Sequence, residues 1–261
     1  MLFRSELSQG VNIDVATGFT SSNFLLAPSK IQQGLRNTKV LSTDKTTLSG
    51  LSMKAFLLGA ENADLFIGAG PYFVDSNQDG VIDSSDTPST DAVGFQITNL
   101  DLGLGIFQTT KDSDPDKVIP KLFAMKAFAD SAGEVGLDVF DLEATGIEVL
   151  LNQGSVYKGQ TGTNKIAPYL DFSTLQAGGL SIETGGSSQF LDFSESFLGL
   201  KAANAIIKID EFVYIEGGFL FQKGAKKKVN VKTGVNLLTG APLIPTFTEL
   251  QLKTDAVVSA D

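Results

Sequence analysis

Apolar residues fall at every second position in stretch after stretch of this chain. That period of two constrains the fold more than any other feature, because it marks half-buried strands. Val11, Ile13 and Val15 alternate with Asn12 and Asp14. Phe95 and Ile97 alternate with Gln96 and Thr98, after which Leu100, Leu102, Leu104 and Ile106 continue on shifted parity. The shift at Asn99 predicts a bulge or a corner. Ile147, Val149 and Leu151 alternate again, and Ile207 and Ile209 precede Val213, Ile215, Gly217, Phe219 and Phe221, a long strand pair or one bent strand. No dozen consecutive residues carry a convincing 3.6 period, so the expected class is all-β.

Turn signals punctuate these runs at Ala69-Gly70-Pro71, Asn152-Gln153-Gly154, Gly178-Gly179, Gly185-Gly186 and Gly240-Ala241-Pro242. Many strands joined by short loops fit a sandwich, a barrel or a β-solenoid. Internal similarity favours repetition. Met53-Lys54-Ala55-Phe56 recurs as Met125-Lys126-Ala127-Phe128, and Val93 to Asp101 resembles Val135 to Glu143. A looser echo relates Thr38–Phe66 to Lys228–Val258. The expectation is an elongated repetitive architecture, a β-solenoid or stacked sheets, with a β-sandwich as the alternative. Residues 1–50 then read as the end of a preceding β unit or N-terminal strands, and 51–261 as the main unit. Phe56 and Phe128 are expected at equivalent, buried strand positions.

The absences exclude much chemistry. With no His and no Cys there is no Ser-His-Asp triad, no Cys nucleophile, no imidazole or thiolate metal site and no disulfide. Any metal must be held by oxygen, which points to calcium or magnesium. The net charge of −10 repels phosphate backbones and anionic lipid, so nucleic acid is not an expected partner. No apolar run reaches the ~18 residues of a spanning helix, and membrane insertion is not expected. The start lacks a signal-peptide layout and reads as a piece of something longer.

One stretch carries sharp chemistry. Asp75-Ser76-Asn77-Gln78-Asp79-Gly80-Val81-Ile82-Asp83-Ser84-Ser85-Asp86 fits an oxygen-rich calcium loop at 75–86. Asp75, Asn77 and Asp79 supply side-chain oxygens at loop positions one, three and five, Val81 a backbone carbonyl, and Asp83 a direct or water-bridged contact. Asp86 closes the loop where Glu is usual. Gly80 permits the sharp turn and Ile82 is expected to anchor the loop to the core. Phe73-Val74 before the loop and Thr87-Pro88 after it argue for an insertion between strands, with no flanking helix pair. A second acidic cluster, Asp112, Asp114 and Asp116, lacks the glycine and the spacing, and reads as a solvated loop.

Residues about 50 to 258 resemble the long repeats of giant bacterial surface and extracellular proteins. The likeness lies in Ala63 to Gly68, Ala92 to Leu104, Leu122 to Asn152 and Gly217 to Lys223. The loop itself resembles dockerin-type calcium loops. The resemblance implies an extracellular or cell-surface location and an adhesive or scaffold role, and it transfers no catalytic residue. The expected function is a calcium-stabilised structural segment, not an enzyme, that associates with further copies of itself into a filament, fibre or surface layer. The alternative is a carbohydrate-binding or polysaccharide-cleaving β-solenoid. Cleavage would need a base beside the loop, and Lys54, Lys111 and Lys126 are the candidates.

Overall fold

The computed structural model describes residues 2–82, 85–137, 140–161, 165–209 and 213–224. Strands occupy 56% of it and helix 9%, so the all-β expectation holds. The strands are β1 (Leu2–Ala16), β2 (Thr47–Ala69), β3 (Phe73–Val74), β4 (Thr87–Pro88), β5 (Val93–Thr109), β6 (Leu122–Val135), β7 (Phe140–Gly154), β8 (Tyr169–Asp171), β9 (Leu180–Glu183), β10 (Ser188–Leu191), β11 (Phe197–Ile209) and β12 (Val213–Lys223). Two helices, α1 (Ser21–Phe24) and α2 (Ser29–Asn37), lie between β1 and β2. The anticipated turn glycines end or join these elements: Gly70 closes β2, Gly154 closes β7, and Gly185-Gly186 turns β9 into β10.

Eight strands form one antiparallel sheet in the order β12-β11-β7-β6-β5-β2-β1-β8. The boundary placed between residues 50 and 51 falls inside β2, which pairs with β1 from Thr47 to Glu61. The repetitive solenoid or stacked-sheet expectation is not supported. Neighbouring strands run antiparallel as a meander, and among the described residues no second large sheet faces this one. The two Met-Lys-Ala-Phe segments lie on β2 and β6, but on opposite faces. Met53 is fully buried in the core, whereas Met125 pairs with Leu104 on the other side of the sheet, half-buried. Phe56 and Phe128 are likewise on opposite faces and each is half-buried.

The sheet curls at its lower end. β8 pairs with β1 through Asp14–Ala16, and also reaches β7, where Asn152 Nδ2 donates to the Leu170 carbonyl at 2.7 Å. β8 therefore bridges the first strand of the meander to the fifth, which makes this face concave. Into the concavity pack the helices and the β9–β10 hairpin, burying Phe24, Ile31, Leu35, Leu51, Met53 and Phe107 among others. Glycines on the strands let the hairpin approach. A Cβ on Gly59 would lie 2.1 Å from the Glu183 carbonyl oxygen, and one on Gly103 would lie 2.6 Å from Gln189 Cβ. Helix α2 keeps Gly34 despite its cost in a helix, because a Cβ there would meet Val118 at 2.4 Å.

Above this plug a crease crosses the sheet. Asn62 on β2, Asn99 on β5 and Gly146 on β7 have positive φ of 50°, 51° and 58°, and β11 shifts register against β12 between Ala202 and Ala205. The bulge anticipated at Asn99 is thus one member of a row. Asn62 N donates to Asp101 Oδ1 and Asn99 N to Asp64 Oδ1, both at 3.0 Å, so the two bulges lock each other across the β2–β5 ladder. A bulge sets two residues against one, so alternation resumes on the same face beyond it.

Candidate functional site

The acidic loop lies between β2 and β5 at the upper end of the sheet, carried on the two-residue β3–β4 ribbon in which Phe73 pairs with Pro88 and Val74 with Thr87. Strands, not helices, flank it. Tyr72 fixes the ribbon to the sheet: its ring stacks on Phe66 at 4.8 Å, Phe73 packs edge-on at 4.6 Å, and its hydroxyl donates to Gln96 Oε1. Ile82 does not anchor the loop, because its side chain is 62% exposed. The aromatic stack takes that role, and the adjacency of Phe66, Tyr72 and Phe73 to the loop was the signal available in the sequence.

Within the loop, side-chain oxygens fold back on amides ahead of them. Asp75 Oδ2 accepts from Gly80 N at 3.1 Å, Asn77 Oδ1 from Asp79 N at 3.0 Å, and Asp79 Oδ1 from Val81 N at 2.7 Å. Gly80 takes a φ of 80°, a conformation that suits glycine. Asp86 is 6% exposed and its Oδ1 accepts from Ser76 N at 3.0 Å, which ties the end of the loop to its start. Asn77 Nδ2 bridges Asp79 Oδ2 and Ser85 Oγ. Asp83 lies outside the described residues. Among the described residues no three acidic side chains converge into a metal-binding group.

One atom tests the fit to a cation. Asp75 Oδ1 is buried and accepts no hydrogen bond. An unsatisfied buried polar atom costs about 1–3 kcal/mol, more if charged, and a hard cation bound to that oxygen removes the cost. Asp75, Asn77, Asp79 and Asp86 are the oxygen donors such an ion prefers, with the Val81 carbonyl and Asp83 as the further candidates.

The second acidic cluster is not a solvated loop. Asp114 is completely buried, and its carboxylate accepts from Val118 N at 3.1 Å, Ile119 N at 2.8 Å and Thr109 Oγ1 at 3.3 Å. It organises the 110–121 connection between β5 and β6. Asp112 and Asp116 are exposed, and Asp116 accepts from Asn37 Nδ2 at 2.6 Å.

The lysines considered as bases are not brought to the loop. Lys126 pairs with Asp192 at 2.7 Å and sits over Phe193 beside the plug. It lies across from Gly103, about ten strand residues or ~33 Å below the end of β2. Lys54 is lower still, and Lys111 is in the 110–121 connection. The Lys226 to Lys228 run and the Lys228–Val258 echo lie outside the described residues. On the concave face above the plug, Gln96, Ser131, Asp141, Glu143 and Lys208 line a shallow polar hollow of about 340 Å³.

No protein-family model matches the chain, and neither a curated protein nor a solved structure matches it.

Proposed function

We propose that the chain is a calcium-stabilised structural unit of an extracellular or cell-surface assembly, built by edge-to-edge pairing with further copies of itself and without catalytic turnover. The observation that carries this reading is the pair of open sheet edges. Among the described residues β8 covers only Asp14–Ala16 of β1, which leaves the rest of that edge without a neighbouring strand, and β12 stands at the other end of the order. Long edges with unpaired N–H and C=O groups template further strands, and a second copy supplies them. The loop at 75–86 sits where β2 hands over to β5, so a cation there stiffens the turn between two of the longest strands.

The test combines titration and assembly. Calorimetric titration of chelator-treated protein with Ca²⁺ should give a saturable site that Asp75→Ala abolishes. Cross-linking and electron microscopy should then show ordered multimers with Ca²⁺ and fewer or irregular ones with chelator. A protein that stays monomeric at all calcium levels refutes the assembly, and wild-type protein with no calcium-dependent heat refutes the site.

A further inference from the structure

Among the described residues nothing covers the convex face of the sheet, and it is apolar from a sharp lower border to the top of the strands. The row Ala60, Leu102, Ala127, Val149, Leu200 and Phe221 crosses six strands below the crease without a polar side chain. Above the crease the matching row is Leu65, Ile97, Ala132, Ala144, Ala205 and Gly217. Phe95 is 47% exposed and Leu200 is 48% exposed, so this face is not sealed by any described part of the chain. Among the described side chains its one ionisable exception above that border is Glu134, at the upper rim, whose carboxylate accepts from Leu137 N at 3.0 Å. The lower border is polar, with Lys54, Gln108, Gln153 and Lys223. The concave face above the plug has the opposite character, with Thr98, Ser131, Thr145, Asn204, Glu143 and Glu216.

We infer that the convex face is built to lie against the hydrocarbon of a lipid bilayer, with the polar concave face turned inward. The inference rests on the edge pairing proposed above, because open edges cannot sit in lipid and must be closed by neighbouring copies. Three physical arguments select hydrocarbon over a second protein surface. From the Phe56 row to the Ile67 row is eleven residues along β2, ~36 Å of strand, or on the order of 25–30 Å of height at a barrel tilt of 35–45°. That height matches the outward apolar band of a membrane barrel. Two convex sheets placed face to face touch along a narrow strip and leave most of the band wet. A nested copy would set the band against the acidic concave face and bury unpaired carboxylates. A fluid apolar phase meets neither difficulty. The absence of long apolar runs is no obstacle, since a strand wall presents its apolar residues at every second position.

The test uses the full chain with calcium, phosphatidylcholine vesicles and a flotation gradient, beside cross-linking without vesicles. The wild type should float with the vesicles as a multimer. Phe95→Lys combined with Leu200→Lys should reduce flotation more than about tenfold, while Glu216→Lys on the concave face should not. Both changed positions are half-exposed, so circular dichroism should report an unaltered sheet. Multimers that form without lipid and never float overturn this inference and leave the assembly standing. Lipid-free multimers abolished by the two lysines assign the face to a second copy, and also overturn it. Floating monomers overturn edge pairing and keep the band in lipid.

Discussion

Removing the Asp114 carboxylate should cost more than removing any other acidic side chain placed in the described part of the chain. Asp114→Ala strips the partner from Val118 N and Ile119 N, and Ile119 is itself buried. A buried amide left without an acceptor costs ~1–3 kcal/mol, so the pair accounts for roughly 2–6. Thr109 Oγ1 can turn elsewhere and adds little. Against this, the desolvation of a buried carboxylate disappears in the variant, which draws the sum towards the lower half, roughly 2–4 kcal/mol. Asp114→Asn keeps one acceptor oxygen and should lose about half as much. Urea unfolding with an unchanged m-value reads the difference, and hydrogen exchange should show Val118 and Ile119 losing protection first. An Asp114→Ala protein within about 0.5 kcal/mol of wild type would falsify the assignment and return the cluster to an ordinary acidic loop.

Tyr157 gives a pH test. Burial, with Asp114 nearby as the lesser cause, pushes its phenol above the ordinary value of 10.0, and its hydroxyl donates to the Thr17 carbonyl at 3.2 Å. The folded pKa is raised, so the neutral form is the one the fold holds. Stability is then level below pH ~10 and falls as pH rises above it. Tyr157→Phe should flatten that alkaline decline in thermal melts, and an unchanged slope would count against it. The two methionines of the repeated tetrapeptide should also behave differently. Met53→Ala, in the core, should cost about 2–5 kcal/mol, and Met125→Ala, half-exposed on the convex face, less than half of that. Equal losses by urea unfolding would restore the idea that the segments are structural equivalents.

The period-two pattern made the long strands legible, and the parity shift made the bulge at Asn99 legible, because both are local properties of a strand. The helix α2 was not legible as a helix. Its nine residues give only Ile31 and Leu35 at helical spacing, and Gly34 between them reads as a breaker until Val118 is placed against it. The tetrapeptide repeat misled for a related reason. Identity in sequence says nothing of strand register, and β2 and β6 flank β5 with Phe56 and Phe123, not Phe128, sharing the row of Ile106. Asp114 was hidden because a buried carboxylate and a solvated one look alike in an acidic cluster. At the acidic loop the spacing located the oxygen-bearing side chains of 75–86, but the anchor lies in the tertiary stack of Phe66, Tyr72 and Phe73.

The crease explains how a bent sheet keeps one face apolar along its whole height. From the Ala60 row to the Leu65 row, β2, β5, β6, β7 and β11 each advance five residues, an odd number that would send every side chain to the opposite face in a regular strand. A surplus residue restores the parity: left-handed backbone marks it at Asn62 on β2, Asn99 on β5 and Gly146 on β7, the register shift between Ala202 and Ala205 marks it on β11, and β6 stays in register with its neighbours. Gly146 faces Ala203 so closely that a Cβ would stand 2.7 Å from the Ala203 methyl, so strands meet at the bend without room for a side chain. The surplus residue also frees amides from the ladder, and Asp64 and Asp101 take up two of them. Apart from Glu134, the polar side chains above the lower border are thereby kept, among the described residues of β2, β5, β6, β7, β11 and β12, to the concave side and the bend itself. A sheet built only to cover a core would have no reason to hold apolar parity for the full length of its strands beyond the plug, where no described residue packs on the convex side. That parity is what the proposed contact of the convex face with hydrocarbon requires.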